Sequence, residues 1–342
     1  MKLTEYERTG RVFIIAEIAQ AHDGSVGILH SLVEAAAGAG VDAVKFQVHI
    51  AEAESSALEP FRVRFSQVDS TRFDYWKRME LSLSQWIELK TQCNELGIEF
   101  LATPFSNAAV DILEKLEVKR YKVGSGDATN PLLIEKLARI GKEVILSTGL
   151  GALEELDGAV ALLRKRNVPM ALLQCTTKYP TVASDVGLAW LARLRERYAC
   201  PVGLSDHSGT IFAGLGAAAL GASVVEAHVT FDRRMFGPDA KASLTVDEFH
   251  RLVEGIRFLE HARGAGPDKN LDEGKSELRR IFGKALAVNR AVRAGDTLRL
   301  EDLEGKKPAD AGIPVSDMQS VLGRRVARDK QCWDFLQMDD LL

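Results

Sequence analysis

Two histidines occupy matching places in this chain. "GLSDHSGT" puts His207 at the end of a short apolar run, and "VVEAHVTF" puts His228 in the same relative position one run later. On adjacent strands of one sheet their rings stand side by side, close enough to share a divalent cation. Imidazole combined with oxygen ligands suits Mn, Fe, Co or Zn, and two protein ligands leave positions open for water and substrate. Asp206 or Asp239 would add an oxygen, or would instead cap a helix or orient a ring. His22, in "AQAHDGS", is a third imidazole. A lone strand-end histidine more often satisfies a buried hydrogen-bond partner, and only the pairing lifts these two above that reading.

A second chemistry comes from Lys45 in "AVKFQV" and Lys122 in "RYKVGS". A buried ammonium without an anion loses its proton, so each lysine needs a neighbouring carboxylate or an anionic ligand. For one lysine the ion pair is the simpler account. For two, alongside Ser125, Ser147 and Ser205, a bound phosphate or carboxylate is favoured, because lysines supply charge and hydroxyls supply directed hydrogen bonds. "KVGSGD" and "LSTGLG" place glycines where a backbone must approach a ligand closely. Neither is a Walker motif, so a nucleoside triphosphate is not implied.

The elements that must position these groups repeat regularly. Strand-like runs at 12–18, 43–48, 99–105, 120–125, 143–149, 170–176, 201–208 and 224–230 alternate with amphipathic helical stretches, several of them stopped by Gly. Strand followed by helix, eight times, predicts a closed (β/α)8 TIM barrel in the α/β class, and no GxGxxG follows the first strand to favour a doubly wound sheet. Barrel enzymes work at the C-terminal ends of their strands, and here nearly every strand ends in polar residues: Glu17, Gln47, Thr103, Ser147, Gln174, Ser205 and Glu226 among them. The barrel is expected over 1–268, followed by a polar linker at 269–281. A small domain follows at 282–342, where "VNRAVRAGDTLRLEDLE" is weakly echoed by "VARDKQCWDFLQMDDL".

Composition narrows the function classes. A chain of 342 residues with 46% hydrophobic and 27% charged residues is an ordinary globular composition, and a net charge of −4 argues against a nucleic-acid binder. The polar start and the lack of any apolar run near membrane-spanning length predict a cytoplasmic protein with no membrane partner. Cys93, Cys175, Cys200 and Cys332 are widely spaced and read as reduced, inert thiols.

The stretches "IIAEIAQAHDGS", "GVDAVKFQ", "FLATPFS", "YKVGSGD", "VILSTGL", "QCTTKYP", "VGLSDHSG", "VEAHVTF" and "GPDAKASL" resemble, in order, the sialic acid synthase family. From residue 282 the tail resembles that family's antifreeze-like (SAF, β-clip) domain. The resemblance implies condensation of phosphoenolpyruvate with an N-acylated hexosamine to a nonulosonic 2-keto acid and phosphate. It implies Mn2+ or Mg2+ on His207 and His228, and phosphoenolpyruvate on Lys45, Lys122, Ser125, Ser147 and Ser205, with Thr103 and Thr177 beside it. Glu17 and Gln47 would line the centre, and Glu17 or Asp127 would handle a proton. Gln47, Tyr179, Asp239 and Lys307 would face the sugar, in a domain-swapped homodimer.

Several positions depart from the family pattern. Asp127 stands where Glu is common, Thr177 where Asn is usual, and Lys307 where an Arg faces the acyl group. Trp333 replaces an expected turn glycine, which predicts an altered turn, and "FDRRMFGPDAKAS" adds bulk beside the acceptor. Acceptors of the legionaminate or pseudaminate type therefore stay open. More remote alternatives are a metal-dependent barrel aldolase or isomerase, and a non-catalytic carbohydrate-binding homologue.

Overall fold

A computed structural model describes residues 1–264 and 273–342, which divide between two compact units, Met1–Gly264 and Ala265–Leu342. In the first unit eight parallel strands alternate with helices: β1 (Phe13–Glu17), β2 (Ala43–Val48), β3 (Glu99–Pro104), β4 (Arg120–Val123), β5 (Glu143–Ser147), β6 (Met170–Cys175), β7 (Val202–Asp206) and β8 (Val224–Thr230). Hydrogen-bonded ladders run β3-β2-β1-β8-β7-β6-β5-β4, and β3 and β4 lie side by side without a ladder between them. The ring is therefore a nearly closed (β/α)8 barrel. Side-chain caps start the crossover helices: Ser25, Ser82, Ser106 and Asn130 each accept a first-turn amide.

Alternation along the strands sorts the barrel into two regions. Outward residues such as Val44, Phe46, Leu146 and Leu172 pack under the helices in one continuous core. Inward residues of the lower half, including Phe13, Ile15, Leu101, Ile145, Leu173 and Val224, fill the interior. Gly203 belongs to this layer because a Cβ there would lie 2.2 Å from the Val224 carbonyl oxygen. Leu3 and Tyr6, from the helix Leu3–Thr9, join the same cluster and plug the bottom. Arg120 fastens the plug. It donates to Glu99 at 2.7 Å, to Glu143 at 2.6 Å and to the Met1 carbonyl at 2.8 Å, while Glu143 accepts the Leu3 amide at 3.0 Å. With the lower half dry and sealed, the inward polar residues gather at the upper end.

In the second unit Ala285–Val288 pairs antiparallel with Leu303–Lys306 over a small core of Leu286, Val288, Leu298, Val326 and Leu336. The two half-units echo each other in atoms as well as letters. Asp302 accepts the Arg299 amide and Arg290 Nε, and Asp340 accepts the Gln337 amide and Arg328 Nε. Gly295 and Trp333 stand at equivalent turns with φ of 90° and 74°. The turn at Trp333 thus keeps its left-handed shape instead of altering, with the Trp333 amide donating to the Val288 carbonyl at 2.7 Å. Glu273–Phe282 is helical where a linker is expected over 269–281, and residues 269–272 of that span lie outside the described residues. Among the described residues no helix is long and apolar enough to cross a membrane.

Arg120→Ala should strip the plug of its buried cation and leave Glu99 and Glu143 facing each other. The expected loss is about 3–5 kcal/mol of barrel stability, as for other broken buried pairs. Chemical denaturation checks this, and a loss below about 1 kcal/mol would mean the apolar plug holds without its charges.

Candidate active site

Strand register brings the upper polar residues into one ring. Glu17 is level with Lys45 on one side and His228 on the other, Gln47 with Thr103, and Ser205 with both Cys175 and Glu226. They line a cavity of about 280 Å³ together with Lys122, Ser125, Ser147, Thr177, Tyr179, His207 and Asp239. The strand-end residues Thr148, Gln174 and Thr176 face the other way and bond to the carbonyls of Leu173, Val186 and Asp185.

Charge is concentrated at the floor. Lys45 Nζ lies 3.0 Å from Glu17 Oε2 and 3.6 Å from Glu226 Oε1, and Lys122 Nζ lies 3.5 Å from the same Glu226 oxygen. Lys45 also donates to Thr103 Oγ1 at 3.2 Å and Lys122 to Ser147 Oγ at 2.7 Å. All four charged groups are buried. Burial opposes charge on Lys45, but Glu17 and Glu226 outweigh it and hold its ammonium above the usual lysine range. For Lys122 burial wins, with Glu226 only partly offsetting it and Lys45 adding repulsion, so its ammonium is pushed below that range. Burial alone would raise Glu226; Lys122 and Lys45, with Ser205 donating at 2.9 Å, hold it well below the usual carboxylate range. One shared carboxylate compensates two lysines incompletely, and Lys122 bears the deficit.

The pairing leaves acceptors and donors unused. Glu226 Oε2 and Thr177 Oγ1 are buried without a hydrogen bond, and Glu17 Oε2, though close to Lys45, is poorly aligned with it. A Cβ on Gly149 would come within 2.7 Å of Thr177 Oγ1 and 2.8 Å of Ser125 Oγ, so only glycine leaves this cradle open. The Gly149 amide donates to Ser125 Oγ at 3.0 Å. Hydroxyls, a nearby amide and two ammonium groups on one side of a cavity suit an anion with several oxygens.

On the other side stand the imidazoles. The rings of His207 and His228 are 5.2 Å apart, and the Tyr179 ring lies 4.1 Å from the first and 5.9 Å from the second. His207 Nδ1 is 3.1 Å from the Thr176 carbonyl, which fixes the proton on Nδ1 and leaves a lone pair on Nε2. Burial, then the neighbouring His228, pushes His207 down to about 3, so the ring is neutral. Among the described residues no cluster of three or more His, Cys, Asp and Glu side chains is spaced to hold a metal. The imidazole pair fits a cation whose remaining ligands are water and substrate, with no third protein ligand.

The other sequence candidates fall elsewhere. Asp206 is taken up by a turn, accepting the Ser208 amide and hydroxyl at 3.0 and 2.7 Å. His22 is buried in its turn and accepts the Gly24 amide at 3.0 Å. Asp127 does not line the cavity. The turn after β4 aims its carboxylate at the Asn130 side chain, 3.0 Å away, because Asn130 begins the next helix. Lys307 belongs to the second unit, where its ammonium lies 5.2 Å from the centre of the Phe282 ring.

Sequence reasoning missed several lining residues. Glu226 is visible in the sequence only as one polar strand end among several; its alternation with His228 gives it the same face, but its pairing with both lysines needs the closed barrel. Cys175, read as inert, lines the cavity between Ser125 and Ser205, and burial first of all raises its thiol. Gln20 and His49 brace the Gln47 amide, whose Nε2 donates to Glu17 Oε1 at 2.6 Å. Arg62 and Phe65 come from an irregular stretch after β2 with no periodic signal, and Arg72 and Trp76 from the short helix Arg72–Met79 that follows it.

Comparison with known proteins matches this geometry. A family model described as the NeuB family matches residues 32–268. The N,N'-diacetyllegionaminic acid synthase of Campylobacter jejuni is 34% identical, over 92% of this chain and 95% of its own. A pseudaminic acid synthase of the same species is 30% identical over 99% of both chains. The crystal structure of an N-acetylneuraminic acid synthetase from Leptospira borgpetersenii superposes with a TM-score of 0.68 and 30% identity, covering 78% of this chain and 90% of that one. The protein therefore belongs to the NeuB family and is a condensing transferase of the sialic acid synthase type.

Proposed function

We propose that this protein condenses phosphoenolpyruvate with the open-chain form of an N-acylated hexosamine, giving a nonulosonic 2-keto acid and phosphate. The observation that carries the reading is the division of one cavity. Two buried lysines and the Gly149 cradle lie on one side, and an imidazole pair covered by Tyr179 lies on the other. An aldolase or isomerase needs the imidazoles but has no use for the cradle. N-acetylmannosamine and the amino sugars leading to legionaminate or pseudaminate are equally supported as acceptors by the relatives.

The donor's phosphate and carboxylate replace the strained sharing of Glu226 by giving Lys45 and Lys122 an anion of their own. Ser125, Ser147, Ser205, Thr103 and Thr177 direct its oxygens, which keeps C3 of the enol facing the acceptor. Bound Mn2+ or Mg2+, held by His207 and His228, would polarise the aldehyde oxygen. C3 of the donor bonds to the aldehyde carbon, and that oxygen takes a proton to become a hydroxyl. Water adds at C2 and gives up one proton, matching the proton taken by the new hydroxyl. The C2 hydroxyl then passes its other proton to the departing phosphate as the C2–O bond to the phosphate oxygen breaks and the ketone forms. Glu17 receives the proton from water: Gln47 fixes its Oε1, and its buried Oε2 has no aligned partner. Asp127, turned toward Asn130, has no part in this account. Tyr179, Asp239 and Gln47 form the sugar's wall. The C-terminal unit is read as an antifreeze-like domain bringing Lys307 to the acceptor within a cytoplasmic homodimer.

Phosphate release from phosphoenolpyruvate, with Mn2+ and a panel of N-acyl hexosamines, tests the reading directly. Folded protein that binds Mn2+ yet releases no phosphate with any acceptor would sink it. His207→Ala should leave folding intact, weaken Mn2+ binding in calorimetry, and lower turnover by roughly 10²–10⁴-fold, matching several kcal/mol of lost charge stabilisation. Global unfolding of that variant would instead assign His207 to structure.

The lowered Lys122 gives a pH signature. Donor binding needs the protonated ammonium, so kcat/KM for phosphoenolpyruvate should fall on the alkaline side, at lower pH than a free lysine would dictate. Lys122→Arg keeps its charge throughout and should flatten that limb even if overall activity drops. An unchanged alkaline limb in the variant would remove Lys122 from donor binding.

A further inference from the structure

The stretch between β2 and the helix Leu83–Glu95 builds a small core of its own from Ala51, Tyr75, Trp76 and Met79, flanked by Phe61, Phe65 and Phe73. From this platform Arg62 reaches the cavity. Its Nη2 donates to Asp239 Oδ1 at 2.7 Å, and its guanidinium carbon lies 4.0 Å from the centre of the Tyr179 ring. Tyr179 in turn covers His207 at 4.1 Å, which makes a column of Arg62, Tyr179 and His207. Nearby, Phe65 packs edge-on against Phe236 at 5.6 Å. Phe236 and Asp239 both lie in "FDRRMFGPD", the bulky stretch after β8.

We propose that Arg62 is a specificity-determining residue for the acceptor, holding Tyr179 and Asp239 in place and presenting its unused N–H donors to a neutral, oxygen-rich sugar. This rests on the condensation reading above. Arg62 is the one side-chain partner of the Asp239 carboxylate among the described residues, so without it that carboxylate has nothing to orient it. Arg62 Nε and Nη1 make no protein hydrogen bond among the described residues, and the residue lines the cavity. Asp239 already neutralises the guanidinium, so these donors suit hydroxyl or acyl oxygens, with no charge left over for an anion. The two contacts differ in kind. The ion pair with Asp239 asks only for positive charge, whereas the stack on Tyr179 asks for a planar guanidinium.

Steady-state phosphate release by the full chain, with donor and acceptor varied separately, tests this. Arg62→Ala should raise acceptor KM tenfold or more and donor KM less than twofold, and Arg62→Lys should fall between, recovering the charge but not the stack. Equal rises in both KM values, an unchanged acceptor KM, or a lysine variant matching wild type would each overturn the proposal. Limited trypsin digestion supplies a second readout. Cleavage after Arg64 should be several-fold faster in Arg62→Ala than in wild type, and unchanged cleavage would also overturn it. If wild type releases no phosphate with any acceptor, the condensation reading fails, while the digestion still reports whether Arg62 fastens its segment.

Discussion

One carboxylate shared by two lysines governs this cavity. Glu226 stands within 3.6 Å of both Lys45 and Lys122, and all three are withdrawn from water inside the barrel. Charges so placed lose hydration that mutual attraction only partly restores, and their arrangement is tolerated where it serves a ligand. Glu17 satisfies Lys45, Glu226 is divided, and Lys122 is left short of compensation. Each lysine taken alone supports the modest reading of an ion pair. Taken as a group the two lysines and two carboxylates balance in number but are unevenly paired, and they lie beside unpartnered oxygens and a cradle that only glycine permits. On the proposed function, the donor's anionic groups would give Lys122 the partner it lacks.

That cluster depends on a dry base. Were the lower barrel wet, the ammonium groups could be hydrated from below and would lose their demand for an anion from above. The inward apolar layer and the helix Leu3–Thr9, fastened by Arg120, prevent this. Structure at the N-terminal end of the strands thus sets the chemistry at the C-terminal end, although no residue of the plug touches the cavity.

The barrel was legible in the sequence because its signal is periodic. Each strand-like run alternates, and the same alternation that marks a strand also tells which residues share its inner face; hence Lys45, Gln47, His207 and His228 could be named in advance. Periodicity has limits, however. It placed Gln174 in the polar ring, though its amide turns outward to bond a backbone carbonyl. The family resemblance offered Asp127 as a proton acceptor, but beyond the end of β4 a turn and a helix cap decide where a side chain points. At Trp333 the sequence predicted a changed turn, whereas the backbone keeps its left-handed shape with a bulky residue in it. Arg62 and Phe65 could not be found at all, since they reach the site through tertiary contacts from a stretch that repeats nothing.

The cavity also divides by the kind of element that holds its residues. Most residues proposed for the donor, Lys45, Thr103, Lys122, Ser147 and Ser205, sit on strands whose ladders fix their height and direction, with Ser125 and Thr177 two residues past the ends of β4 and β6. Those proposed for the acceptor, Arg62, Tyr179 and Asp239, come from the segments after β2, β6 and β8, held together by one ion pair, one stack and one aromatic contact. Loops tolerate substitution that a packed strand does not, because fewer ladder hydrogen bonds and core contacts are at stake. A fold built this way can keep the donor geometry constant while its acceptor wall changes, and relatives named for legionaminic, pseudaminic and neuraminic acids fit one barrel on those terms. On the proposed function, the acceptor of this chain would be set by the contacts among its loops, with Arg62 at their junction.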